Sequence, residues 1–365
     1  MRVNKIVLKN FRNYVDTTIC FTNSINIFIG ENAQGKTNIL ESIYYGAIGH
    51  SHRTNTDSEL IRWHQDYASI SIFYSRLAIE NNLIFKLHSH KSKEIIANSY
   101  IIKPKELVGL LNVVLFSPED LMLIKGMPNM RRRFLDIEIS QVNPIYYKQL
   151  LKYNRIISQR NVLLKKIREN KEKPEMLDAW DGQLAILASQ IVSKRQMAIK
   201  KLAMLANLMH RKITNSKENL TVVYEKYGMD ILEKEDLVEE YKSKLISARQ
   251  NDIWRGSTSI GPHRDDLKLS VNGINLRTFG SQGQQRTGVL ALKLAELEFI
   301  KSEIGEYPVL LLDDVMSELD ASRREHLINF IQDRIQTFIS ATEKKYFPNK
   351  EFGKFHQVIN GTIVE

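Results

Sequence analysis

The run Gly30-Glu31-Asn32-Ala33-Gln34-Gly35-Lys36-Thr37 reads G-x-x-x-x-G-K-T, and its setting constrains the chain more than any other feature. Upstream, Ile25-Asn26-Ile27-Phe28-Ile29 is apolar at alternate positions between Ser24 and Gly30, which predicts a strand. Downstream, Ile39, Leu40 and Ile43 fall at helical spacing between Thr37 and Tyr45. Strand, glycine turn and helix in that order build a phosphate-binding loop. The glycines let backbone N–H groups turn inward around phosphate oxygens, and the helix N-terminus adds the positive end of its dipole. Lys36 reaches the outer phosphates, and the Thr37 hydroxyl is an oxygen ligand for Mg2+. Gly30 through Thr37 are therefore expected to hold a nucleoside triphosphate. A chance glycine turn with a surface lysine is the competing reading, and it leaves the flanking pattern unexplained.

The chain has 365 residues, room for two or three compact units at about 100 to 200 residues each. Its 52 basic residues outnumber 42 acidic ones for a net charge of +10, which favours a polyanionic partner or an acidic membrane surface over a neutral one. A basic protein without such a partner is the plainer alternative. One cysteine, Cys20, excludes an internal disulfide and a cysteine-based zinc site, and fits a reducing compartment. The first residues lack the apolar run of a signal peptide, and no stretch approaches the ~18 apolar residues of a membrane span. The expectation is a cytoplasmic protein with no membrane partner.

Strand texture dominates the first hundred or so residues, in Ile6 to Leu8, Ile25 to Ile29, Ser69 to Phe73 and Leu83 to Leu87. From about Pro118 the texture becomes helical. Tyr146, Leu150, Tyr153, Ile157, Leu164 and Ile167 form one heptad-like stripe; Leu177, Trp180, Leu184, Leu187, Ile191, Ala198, Leu202, Leu205 and Met209 form another. Lys171 to Pro174 separate them, which predicts a short antiparallel helical hairpin whose shorter arm is about 30 Å long. The stripes are expected to be internal packing. Lys165, Lys166, Arg168, Lys194, Arg195, Lys200, Lys201, Arg211 and Lys212 are assigned to the outer faces, either as a phosphate-backbone track or as a solvated charged surface. Strands return at Leu220 to Tyr224 and Leu267 to Leu276, where Asn272-Gly273 predicts a tight hairpin.

Pro308-Val309-Leu310-Leu311-Leu312-Asp313-Asp314 is a buried-strand run ending in two carboxylates. Parallel strands buried on both faces read as continuous apolar runs, and ligand-binding residues lie at their carboxyl ends. Asp313 is expected to join Thr37 around Mg2+, and Asp314 to orient or deprotonate an attacking water, with Lys36 completing the catalytic set. Lys36 and Asp313 are 277 residues apart, so something large is inserted between them. Within the gap, Gly280-Ser281-Gln282-Gly283-Gln284-Gln285-Arg286 opens a helix continuing through Leu290, Leu294, Leu297 and Ile300. Such a serine-glycine turn is either an anion-binding nest or a plain surface turn. His263 beside Asp265 and Asp266, with no second histidine nearby, reads first as a structural turn.

These motifs, in this order, resemble the RecF family of bacterial replication and repair proteins, relatives of the SMC ATPases. The resemblance covers nearly the whole chain. It rests also on Leu8 to Tyr14, Phe116 to Leu121, Arg131 to Asp136, Ile260 to Asp266 and the Ser317 to Asp320 loop. It implies an α/β fold: an ABC-type P-loop ATPase head, a mixed sheet around the P-loop helix, with an inserted helical lobe bearing the hairpin. The head is expected over 1–117 and 268–365, the lobe over 118–267. The resemblance also implies an ATP-dependent homodimer in which the P-loop, Asp313 and Asp314 of one subunit meet Ser281, Gly283 and Gln284 of the other. Arg12 and Asn13 resemble a nucleotide-contacting loop, and Ser117 to Asp120 a loop that relays the γ-phosphate to the lobe. His263 then leans toward an interface or nucleotide-sensing role.

By the same resemblance, ATP and Mg2+ are the cofactors, and the partners are DNA, single-stranded and double-stranded at gaps or junctions, with RecR and RecO-type mediators that load the strand-exchange protein. Asp314 stands where most ABC ATPases carry glutamate, and Gln336 to Glu343 lacks their histidine, so slow hydrolysis serving a switch is expected. Two alternatives stay open: a transporter nucleotide-binding subunit, and an ATP-binding scaffold without meaningful turnover. Long SMC-like arms are excluded, because about 150 inserted residues at 1.5 Å each are too few.

Overall fold

The computed structural model describes residues 1–227, 237–348 and 352–364. They divide into two compact units, Met1–Asp120 with Lys293–Glu365, and Leu121–Leu292.

In the first unit, five parallel strands run side by side in the order Lys354–Ile359, Ile25–Ile29, Thr337–Ala341, Val309–Asp313 and Val113–Phe116, with Thr362–Val364 antiparallel at one edge. Ile25–Ile29 and Thr337–Ala341 are buried at every residue, as strands covered on both faces must be. The early strands do not make one sheet. Arg2–Phe11, Tyr14–Cys20, Tyr67–Arg76, Ile79–His88, Glu94–Ala97 and Tyr100–Ile102 form a separate antiparallel sheet, with Val3, Ile6, Leu8 and Phe11 turned inward. The helix Lys36–Ile48 packs on strands of both sheets and buries Ile39, Leu40 and Ile43 completely.

The second unit carries the helices Pro128–Val142, Pro144–Arg168, Leu177–Ile213 and Leu237–Arg255. Pro144–Arg168 and Leu177–Ile213 pack together as the expected hairpin, 25 and 37 residues long. Its stripes are internal: Tyr146, Tyr153, Leu164, Leu184, Ile191 and Leu202 are all buried. Strand Asp266–Val271 pairs antiparallel with Leu220–Glu225 and turns through Asn272 (φ 50°) and Gly273 (φ 82°) into Ile274–Asn275, the predicted hairpin. This pairing moves residues 268–292 into the second unit, where the sequence had placed them in the head. A strand belongs with the partner that holds its hydrogen bonds, and here the partner lies forty residues upstream in the helical region.

Arg195 corrects the expected outer basic face. Its guanidinium is 2% exposed, bonded to both carboxylate oxygens of Asp136 at 2.8 and 3.0 Å, to the Pro262 carbonyl at 2.6 Å and to the hydroxyls of Tyr146 and Tyr224. A helix 37 residues long buries some basic positions along with its apolar stripe. Lys165, Lys166, Arg168, Lys194, Lys200, Arg211 and Lys212 are exposed, and Lys201 is half-buried.

Pro262, His263 and Asp265 of the Ile260 to Asp266 motif border this same polar interior, while Arg264 is exposed. His263 donates through Nε2 to the Thr258 carbonyl at 3.1 Å and, as a neutral imidazole, accepts at Nδ1 from the Tyr153 hydroxyl at 2.8 Å, while Asp265 accepts from the Tyr224 hydroxyl and the Tyr227 amide. Burial, with the charges of Arg264 and Arg132, pushes His263 down to about 4 against the Thr258 hydrogen bond. The unfolded imidazole titrates near ~6.5. Its contribution is therefore complete above that value and lost as pH falls toward 4. Between pH 7 and 4.5, His263→Gln is expected to reduce the fall in unfolding free energy by about 2 kcal/mol, at about 1.36 kcal/mol per pKa unit. Urea titrations at the two pH values read this directly; an undiminished fall would remove His263 from the acid response.

Candidate nucleotide site

The P-loop occupies the switch from the fully buried strand Ile25–Ile29 to the helix Lys36–Ile48. Two glycines are fixed by close approach. A Cβ on Gly30 would stand 2.4 Å from the Val358 carbonyl oxygen of the neighbouring strand. At Gly35, φ is 113°, and a Cβ would stand 2.5 Å from the Asn13 amide nitrogen. Lys36 donates to the Gly30 and Glu31 carbonyls at 2.8 and 2.7 Å, so its ammonium curls over the loop it belongs to. Burial lowers its pKa, opposed by Asp314 and Asp313.

Strand Val309–Asp313 brings its terminal acids to the same place. Thr37 donates its hydroxyl to Asp313 Oδ1 at 2.8 Å, and Ser340, on the adjacent strand, donates to the same oxygen at 2.6 Å. Two hard oxygens meet there, as an Mg2+ ion sharing its shell with phosphate and water requires. Asp314 adopts the left-handed conformation at φ 55°, its amide bonded to Ser340 Oγ, and its Oδ1 is buried without a hydrogen-bond partner. Burial raises its carboxyl, with Asp313 and Glu318 adding to the rise and Lys36 opposing it. A buried carboxylate oxygen left unpaired is costly to maintain, and it is the group expected of a water-orienting base.

Arg12 and Asn13 flank this loop, on the turn after Arg2–Phe11. Asn13 donates to the Gln34 carbonyl at 2.9 Å and accepts from Asn38 at 2.8 Å, bracing the P-loop from outside. Arg12, at φ 52°, forks onto Glu41 at 2.6 and 2.9 Å and donates to the Glu59 carbonyl. Glu41 is a residue that pattern reading passed over. It is fully buried in the P-loop helix, held by Arg12, Ser51 and Arg53. Burial would raise its carboxyl, but those hydrogen bonds and charges outweigh burial and hold it below the usual range. Its signal in the sequence was an acid between Leu40 and Ser42 on a face that is otherwise core. Asp120, at the expected relay loop, accepts from the Ser117 amide at 2.8 Å, and burial raises its pKa against the attraction of Lys293.

In the second unit, Ser281 opens the helix Gln282–Ile304. The Gln284 amide donates to Ser281 Oγ at 3.2 Å and the Ser281 amide to Gln284 Oε1 at 3.1 Å, a reciprocal capping box. Gln284 also donates to Glu218, and Gly283 lies between, half-buried. Ser281 is exposed. Its hydroxyl accepts from the Gln284 amide and still carries a proton that it can donate to an anion at the helix start.

Residues 2–360 match the family model for the RecF/RecN/SMC N-terminal domain. The DNA replication and repair protein RecF of Halothermothrix orenii is 47% identical, over 100% of this chain and 98% of its own length. The chain belongs to the RecF family. The RecF of Clostridium tetani is 44% identical over the full length of both. A solved structure of the recombination mediator protein RecF with ATP, from the RecFOR pathway, superposes with a TM-score of 0.92 at 35% identity, covering 100% of this chain and 97% of that one. An SMC head bound to a winged-helix domain of ScpA gives 0.59 at 14% identity over 100% of this chain and 98% of that one, a likeness of fold alone. The ABC-type head expected from the motifs is thus the fold of this RecF-family chain. Among the described residues no helix is long and apolar enough to cross a membrane.

Proposed function

We propose that this RecF-family chain is an ATP-gated DNA clamp of recombinational repair and replication-fork maintenance, in which ATP joins two copies and hydrolysis separates them. The observation that carries the reading is Ser281, exposed at the start of the helix Gln282–Ile304, whose hydroxyl accepts from the Gln284 amide and keeps its own proton to donate to an anion. In the proposed dimer, Gly30 to Thr37 of one copy cradle the phosphates, and Ser281, Gly283 and Gln284 of the other cap the outermost one. Arg12 and Asn13 set the position of the P-loop from behind. Thr37 and Asp313 are the residues that would hold Mg2+, which when bound neutralises phosphate charge. Asp314 takes the proton of the attacking water; its short arm and the absence of the histidine usual after strand Thr337–Ala341 support slow turnover, a switch rather than a motor. Exposed Lys165, Lys166, Arg168, Lys194, Lys200, Arg211 and Lys212 supply the phosphate-backbone track, at gaps or junctions where RecR and RecO-type mediators act. A cytoplasmic location follows from that role.

Sedimentation velocity with and without ATP tests the switch. Wild type is expected to dimerise only with ATP, Lys36→Arg to dimerise weakly and Ser281→Arg not at all. A wild type that stays monomeric with ATP would sink the clamp reading. Duplex binding is expected to weaken steeply with salt, because each neutralised phosphate releases counterions, with a slope near −0.9 per contact.

A further inference from the structure

We infer that Phe279 is an apolar anchor through which each copy grips the nucleotide-bearing face of the other, an inference that rests on the ATP-dimer reading above. Its ring is 74% exposed, two residues before Ser281. Single exposed hydrophobics are ordinary on protein surfaces. What sets this one apart is how firmly it is held out.

The four-residue helix Leu276–Phe279 is capped by Asn275, whose side chain accepts from the Arg277 and Thr278 amides. Leu276 is 1% exposed and fills the space over Gly288, where a Cβ would stand 3.0 Å from its methyl. The buried Gln285 amide donates to the Leu276 carbonyl at 2.9 Å, tying the short helix to the helix that Ser281 opens. Gly280 closes the connection: its amide bonds to the Leu276 carbonyl, and a Cβ there would stand 2.6 Å from that oxygen. Phe279 and Ser281 are therefore two points on one rigid ridge.

Both residues are exposed, two positions apart, so a partner that brings a phosphate to Ser281 Oγ comes within two residues of the ring. The partner of that ring is accordingly a second copy of this chain carrying a triphosphate. The Ser281 hydroxyl answers the charge, while the aromatic ring supplies the desolvated contact that polar groups cannot. Aromatic anchors of this kind dominate the energetics of many interfaces.

The test compares wild type, Phe279→Ala, Phe279→Leu and Ser281→Arg by sedimentation velocity with ATP and Mg2+, alongside binding of a fluorescent ATP analogue at concentrations where the chain is monomeric. Phe279→Ala is expected to weaken dimerisation about tenfold to a hundredfold, with Phe279→Leu intermediate, while analogue binding by the monomer stays at the wild-type level. Thermal melts check that the exposed substitutions leave the fold intact. If Phe279→Ala dimerises like wild type while Ser281→Arg does not, the anchor is wrong and the clamp stands. If wild type itself fails to dimerise, both fall.

Discussion

Arg195→Ala is expected to destabilise the second unit by about 3–5 kcal/mol, the cost of breaking a buried ion pair while leaving its partner behind. The substitution strands the Asp136 carboxylate, the Tyr146 and Tyr224 hydroxyls and the Pro262 carbonyl, all of which face the 2%-exposed guanidinium. These groups lie on the helix Pro128–Val142, on both the hairpin and the strand Leu220–Glu225, and in the turn before Asp266–Val271. One side chain thus joins its own helix, Leu177–Ile213, to four other segments. Urea unfolding measures the loss. Asp136→Asn is expected to cost less, since a neutral amide still accepts one hydrogen bond, and the double variant to cost less than the sum of the two. A loss below about 1 kcal/mol for Arg195→Ala, the size expected of an exposed pair, would return Arg195 to the surface track.

Asp314→Asn is expected to lower ATP turnover by about 10²–10⁴-fold, the range for removing a general base, while leaving ATP binding and dimerisation in place. Binding survives because the P-loop contacts and Asp313 are untouched. The dimer should persist for longer, because the step that opens it has slowed. The wild-type rate carries a pH signature of the same group. Burial lifts Asp314 above the ordinary carboxylate range, so the active, ionised form is lost at a higher pH on acidification than for an exposed aspartate. Turnover should fall on the acid side through that raised value, and the fall should vanish in the residual rate of Asp314→Asn. Single-turnover hydrolysis across pH 4 to 8 separates the two. Equal rates for wild type and variant would remove Asp314 from the chemistry.

The strand, loop and helix around Lys36 and the strand that ends in Asp313 were readable because they are short-range features. Gly30 to Thr37 is one turn between two regular elements, and Val309–Asp313 announces itself by being apolar at every position up to its acids. The Asn272-Gly273 hairpin was equally local. What pattern could not supply were long-range partners. Arg195 looks like its exposed neighbour Lys194 until Asp136, fifty-nine residues away, is placed beside it. Glu41 looks like a helix-surface acid until Arg12 arrives from the turn after the first strand. The boundary expected at 268 failed for the same reason, since only the pairing of Leu267 with Tyr224 says which unit owns that strand. Assigning Ile25–Ile29 to a sheet apart from Arg2–Phe11 likewise needed the registers with Thr337–Ala341 and Lys354–Ile359.

The close pass between Gly30 and the Val358 carbonyl has a consequence for how the protein is made. The P-loop precedes its outer wall by most of the sequence: that wall is the strand Lys354–Ile359, and the Gly361 amide and Asn360 amide close onto Gln34. At 5–20 residues per second, roughly half a minute of synthesis passes between loop and wall. Through that interval the nascent chain displays a basic hairpin but lacks a finished seat for ATP. The loop's outer wall is thus made long after the loop itself.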